Sequence, residues 1–173
     1  MTERPWVTPY GGRAPLLHPE AFVDVSARII GAVELAQGCS VWPLAVLRAD
    51  AAEIRLGARS AVLDLALIEA PEGCPVVIGE EAIVSHGAMI HGARIEARSL
   101  VGIGAVVLDR AVIGRGSLIG AGCLVTPGAV IPPDSLVLGS PGKVIRSTRP
   151  EERQTILDQV DELFRKSRVY MAG

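Results

Sequence analysis

From Val23 to Val137 aliphatic and small residues recur with a period of six. The stretches Val101-Gly-Ile-Gly-Ala-Val106, Val107-Leu-Asp-Arg-Ala-Val112, Ile113-Gly-Arg-Gly-Ser-Leu118 and Ile119-Gly-Ala-Gly-Cys-Leu124 show the unit most plainly. It opens on an aliphatic residue, often followed by glycine, and carries a small residue at its fifth position. Counting backwards gives unit starts at Val23, Ile29, Leu35, Val41, Leu47, Leu56, Val62, Ile68, Ile78, Val84, Ile90 and Ile95, continuing through Val101, Val107, Ile113, Ile119, Val125, Ile131 and Val137. Fifth positions include Ala27, Cys39, Ala45, Ser60, Ala66, Ala82, Ala88, Ser99, Ala105, Ser117, Cys123 and Ala129. Inward aliphatic and small residues alternating with turns predict an all-β fold, a left-handed parallel β-helix with three-sided coils. Three units close one coil, so the repeat predicts about six coils stacked at the inter-strand spacing of roughly 4.8 Å.

Three units depart from six residues. The one at Leu47 runs to nine, the one at Ile68 to ten with Pro71-Glu-Gly-Cys-Pro75 inside it, and the one at Ile90 to five. Insertions in a solenoid are expected as outward loops. The pattern changes at Thr148. Ile156, Leu157, Val160, Leu163 and Phe164 recur at helical spacing, with Thr148 as the expected N-cap, Pro150 in the first turn and Glu151 and Glu152 near the positive helix end. The expected organisation is a β-helix with its lead-in over residues 1–147 and a helix over 148–173 packed along the outside.

Composition narrows the function classes. At 173 residues with 49% hydrophobic content the chain suits one domain with a substantial core, and 3% aromatic content suits a thin prism with little room for wide rings. A net charge of -2, with no basic stripe, argues against nucleic acid or an acidic membrane as partner. No apolar run follows the N-terminal residues and none could span a bilayer, so a cytoplasmic location is expected. Cys39, Cys74 and Cys123 show no paired metal spacing and read as reduced packing residues. His18 reads as an ordinary edge residue.

Positions three units apart lie one coil above another. The second positions Arg48, Glu69 and His91 therefore form one column, and the third positions Asp64 and His86 form another on a different side of the prism. The next residues above are Leu108 and Ile103, so both columns are expected to end beneath apolar side chains. His86 cannot meet Glu69 and His91 within one chain if both columns point outward. A closed ring of three prisms would bring them together three times, which makes a homotrimer the natural assembly.

Three stretches carry a family likeness: Ser40-Val-Trp-Pro-Leu-Ala-Val-Leu-Arg-Ala-Asp50, Ile83-Val-Ser-His-Gly-Ala-Met-Ile-His-Gly92 and Val137-Leu-Gly-Ser-Pro-Gly-Lys-Val144. With them the chain resembles the gamma-class carbonic anhydrases and the wider carbonic-anhydrase-like proteins from Phe22 to the C-terminal helix. The resemblance implies zinc, or iron or cobalt, held between subunits by three histidines, two of which match His86 and His91 while the third falls on Glu69. It matches the family's interface arginine and aspartates to Arg48, Asp50 and Asp64, with Arg48 orienting one of the aspartates across the interface. Carbon dioxide and bicarbonate are the implied substrates.

Two departures bear on that chemistry. Glu69 keeps a legitimate zinc ligand set, but an anionic ligand acidifies water less than a neutral imidazole does. Leu63 stands where the family has a glutamine that orients the attacking water, and a tyrosine midway along the family's terminal helix has no evident counterpart. Metal binding with weak or absent carbonic anhydrase activity is the expectation. Two other classes remain open: a coenzyme A-dependent acyltransferase using His86 or His91 as base, and a non-catalytic trimeric scaffold in which Arg48 and Glu69 are simply an ion pair.

Overall fold

The computed structural model describes residues 6–172. Of the N-terminal residues read for a leader, 1–9, the first five lie outside that range.

The chain winds a left-handed parallel β-helix of about seven turns, closed by one helix, α1 (Pro150–Ala172). The counted unit starts pair along its whole length, through the three irregular units as well. On the first face Val23, Val41, Val62, Val84, Val101, Ile119 and Val137 pair in succession. On the second, Ile29, Leu47, Ile68, Ile90, Val107 and Val125 do so. On the third, Leu35, Leu56, Ile78, Ile95, Ile113 and Ile131 follow suit. The extra turn comes from the lead-in, where Val7–Thr8 pairs beneath Ile29–Ile30 and Leu16–Leu17 beneath Glu34–Leu35.

Unit starts and small fifth positions fill the prism. Ile29, Leu47, Ile68, Ile78, Ile90 and Ile95 are wholly buried, as are Ala27, Cys39, Ala45, Ala82 and Ala88. Each buried large aliphatic stabilises the stack by roughly 1.5–3 kcal/mol relative to exposure. The small residues lie where the interior narrows.

The nine-residue unit at Leu47 is not a loop. Val46–Leu56 is one eleven-residue strand that bends from the second face to the third, and its extra residues bulge opposite the register shift at Gly31–Val33. Gly31 is obligatory there, because a Cβ would lie 2.2 Å from the Ala49 carbonyl oxygen. The insertion at Pro71–Pro75 does form an outward turn, closed by Cys74 N–H donating to the Pro71 carbonyl at 3.0 Å.

Helix α1 lies on the first face as its apolar stripe predicts. Ile156 and Val160 are buried against Phe22, Trp42, Ala61, Leu63 and Ile83. Tyr170 packs edge-on to Trp42, with ring centroids 5.5 Å apart. The N-cap differs from expectation: the helix begins at Pro150, and Glu152 accepts from the Arg149 N–H at 2.7 Å, half of a capping box. Thr148 instead donates its hydroxyl to the Gly116 carbonyl at 3.2 Å, tying the helix entry to the coil.

Candidate metal centre

Strand pairing sets Arg48 beside Glu69 and Glu69 beside His91, as the repeat requires. Arg48 donates to the Glu69 carboxylate, and its Nε lies 3.8 Å from Asp50 Oδ2. The hydrogen bond it donates to Glu69 holds the Arg48 guanidinium above its ordinary pKa, so Arg48 stays charged at any working pH. Glu69 also faces His91, whose Nε2 is 3.9 Å from its Oε1.

Leu108 follows His91 in register as counted, but the polar contacts extend one residue further. Asp109, one coil above and one residue past Leu108, forms a hydrogen bond with His91 Nδ1. It can do so because Gly92 leaves the space open: Gly92 has φ +60, and a Cβ there would lie 2.7 Å from Cys74 Cβ and 2.9 Å from Asp109 Oδ1. The signal was present in the repeat, since Asp109 occupies the same register position as Gly92. The second-position column alone does not reveal it.

The second group stands at the corner between the first and second faces. His86 Nδ1 is 3.0 Å from Asp64 Oδ2, and both side chains are substantially exposed. Ile103 lies above His86 as expected and is 58% exposed. Leu44 and Leu65 project from the same corner, 56% and 63% exposed, each with the positive φ that a leucine rarely adopts. The corner is therefore an apolar ridge carrying one imidazole.

Both histidines have Nδ1 engaged by a carboxylate of their own chain and Nε2 free of it. This is the pairing that fixes a metal-ligating imidazole in orientation and tautomer. Two neutral imidazoles and the Glu69 carboxylate suit zinc or a related divalent ion. Among the described residues, however, no three such donors of one protomer converge. His86 and the Glu69/His91 pair stand at opposite ends of the second face, and nothing within the chain brings them together.

Three comparisons bear on what this arrangement belongs to. A family profile, bacterial transferase hexapeptide (six repeats), matches residues 92–127. A carbonic anhydrase of Geobacillus kaustophilus is 36% identical over 166 residues, covering 96% of this chain and 91% of its own. The chain belongs to the gamma-class carbonic-anhydrase-like hexapeptide-repeat family. Protein YrdA of Escherichia coli is 37% identical over 152 residues, covering 84% of this chain and 83% of its own. A hexapeptide transferase family protein from Anaplasma phagocytophilum superposes with a TM-score of 0.91 at 31% identity, over 95% of this chain and 97% of its own.

Within this carbonic-anhydrase-like fold, Leu63 lies on the outer side of the first face, 6% exposed beneath α1. It lines one cavity with His86, Gln159 and Leu163. The helix residues that approach the position are thus a leucine and a glutamine, and the one tyrosine of α1, Tyr170, packs against Phe22 and Trp42. The cysteines are free and buried, and burial pushes the Cys39 thiol up to about 12, which leaves it inert. No helix among the described residues is long and apolar enough to cross a membrane.

Proposed function

We propose that the chain assembles as a homotrimer with a divalent metal between protomers, held by Glu69 and His91 of one copy and His86 of the next. The observation that carries this reading is the paired carboxylate support, Asp64 on His86 and Asp109 on His91, which leaves the Nε2 of each imidazole available, that of His91 beside Glu69. The apolar corner formed by Leu44, Leu65 and Ile103 supports assembly, because burying it against the neighbour's second face carries His86 with it.

Glu69 and His91 of one copy and His86 of the next would hold a zinc, iron or cobalt ion, which would supply the positive charge that acidifies water for attack on carbon dioxide. The residues decide how well that chemistry runs. Glu69 adds negative charge at the ion and is shared with Arg48, so its donor strength is reduced. Arg48, whose Nε lies 3.8 Å from Asp50 Oδ2, holds Glu69 in place. Leu63 offers no hydrogen bond to orient an attacking oxygen. Reversible carbon dioxide hydration is therefore expected to be at least tenfold slower than in relatives with three histidines and the glutamine.

Elemental analysis of the purified trimer, combined with anomalous scattering from its crystals, tests the centre directly. One ion per interface on Glu69, His86 and His91 is the expected result, and an ion-free trimer grown with excess zinc overturns it. The double variant Glu69→His with Leu63→Gln should raise hydration by an order of magnitude or more, read by stopped-flow pH change.

One observation favours a second reading. Asp64 and His86 form the orienting pair of a general base, and hexapeptide transferase relatives share the fold. Thermal stabilisation by acetyl-coenzyme A, lost in His86→Ala, would establish it; no stabilisation at millimolar ligand would remove it.

A further inference from the structure

We propose that the cavity between α1 and the first face binds a short-chain aliphatic carboxylate, its head at His86 and its alkyl chain lying on Leu63, Ile83 and Leu163. The proposal rests on the metal-centre reading for the head group and on the cavity itself for the chain.

The cavity measures about 420 Å³. Pockets for small organic molecules begin near 300 Å³, so the space exceeds what carbon dioxide or bicarbonate requires. Its floor is Leu63 and Ile83, both buried, with Leu100 and Leu118 continuing it up the stack. Leu163 closes it from the helix side. Nothing charged lies on that floor.

Polar groups gather at the rim: Ser85 and His86 from the coil, and Gln159, Glu162 and Lys166 from α1. The one rim carboxylate, Glu162, is already matched by Lys166 at 2.5 Å, and Asp64, behind the rim, is matched by His86 at 3.0 Å. The Glu162 carboxyl is accordingly held below the usual carboxylate range, so it stays ionised and committed to Lys166. Lys166 has three N–H donors, of which Glu162 takes one. His86 keeps Nε2 free of Asp64. Ser85 and Gln159 can donate or accept, Lys166 adds a positive charge with uncommitted N–H donors, and no unpaired carboxylate stands at the rim, which favours an oxygen anion over an ammonium group. Exposed Ile103 at the corner prolongs the apolar wall to the place where the head would sit.

Calorimetric titration of the zinc-loaded trimer with acetate, butanoate, hexanoate and hexylamine tests this. Affinity should rise about fourfold per added methylene, and hexanoate should bind at least tenfold more tightly than hexylamine. Leu63→Gln and, on the far wall, Leu118→Ser should each flatten the chain-length slope while zinc content stays at one ion per interface. Affinity independent of chain length, or an unaltered slope in both variants, overturns the proposal. A slope and a hexanoate preference that both persist in metal-free protein support the chain site and overturn the metal-centre reading of the head group.

Discussion

Gly92 follows a candidate ligand and contributes only its absence of a side chain, yet two constraints meet there. Its positive φ disfavours any other residue, and the atoms a Cβ would strike are the Cys74 Cβ and the Asp109 carboxylate. Gly92→Ala should destabilise the protein by about 1–3 kcal/mol in urea unfolding and displace Asp109 from His91. Asp109→Ala removes only the second effect. It should leave the unfolding midpoint and the oligomer nearly unaltered and weaken zinc affinity by about 10–100-fold in competition with a chelator. A drop in stability equal to that of Gly92→Ala, with affinity intact, would make Asp109 a packing residue.

Among elements, the coil and the helix differ in how far the sequence reveals them. Every unit start from Val23 to Val137 pairs as counted, because one inward aliphatic per face leaves no alternative register without exposing it. Arg48, Glu69 and His91 were ordered by the same count. What the repeat left unread was sideways reach: Asp109 crosses from its own corner to His91, and Arg149 rather than Thr148 caps α1 because Thr148 is drawn to Gly116. Both depend on side-chain direction, which a register does not encode. The proposed meeting of His86 with Glu69 depends on a second molecule and lies beyond any one-chain pattern.

The same helix start gives a pH dependence. Glu152 accepts from the Arg146 guanidinium and from the Arg149 N–H, and these bonds hold its carboxyl down to about 2. A carboxyl lowered on folding contributes fully above its ordinary range, and the contribution is lost as pH falls through about 2. Glu152→Gln should lower the melting temperature at pH 7 and leave the difference from the parent protein negligible near pH 2, by circular dichroism. The pair is exposed, so the effect is small.

Across the whole molecule the apolar corner is the feature that a lone prism does not explain. Leu65 stands beside Asp64 and, one coil below Gly87, near His86 without touching the core. Leu65→Glu places a charge in the expected interface without disturbing the interior. It should convert the proposed trimer to monomer in light scattering, with loss of the metal proposed at its interfaces and unchanged far-ultraviolet circular dichroism. A trimer that survives this substitution would move the interface elsewhere.

The last coil ends differently from all the others. Lys143–Ser147 turns back and pairs antiparallel with Ser135–Leu138, and Gly139 and Gly142 take up the Leu124 N–H and carbonyl. Pro132 and Pro133 follow the remaining open strand, Val130–Ile131, and offer no N–H of their own. A parallel stack otherwise presents, at its top, a template identical in kind to what it has just received, and a second copy could dock on it end to end without limit. The reversed strand gives this solenoid a finite length. Removing residues 143–173 should therefore do more than strip a helix: it exposes the template, and fibres become the expected product.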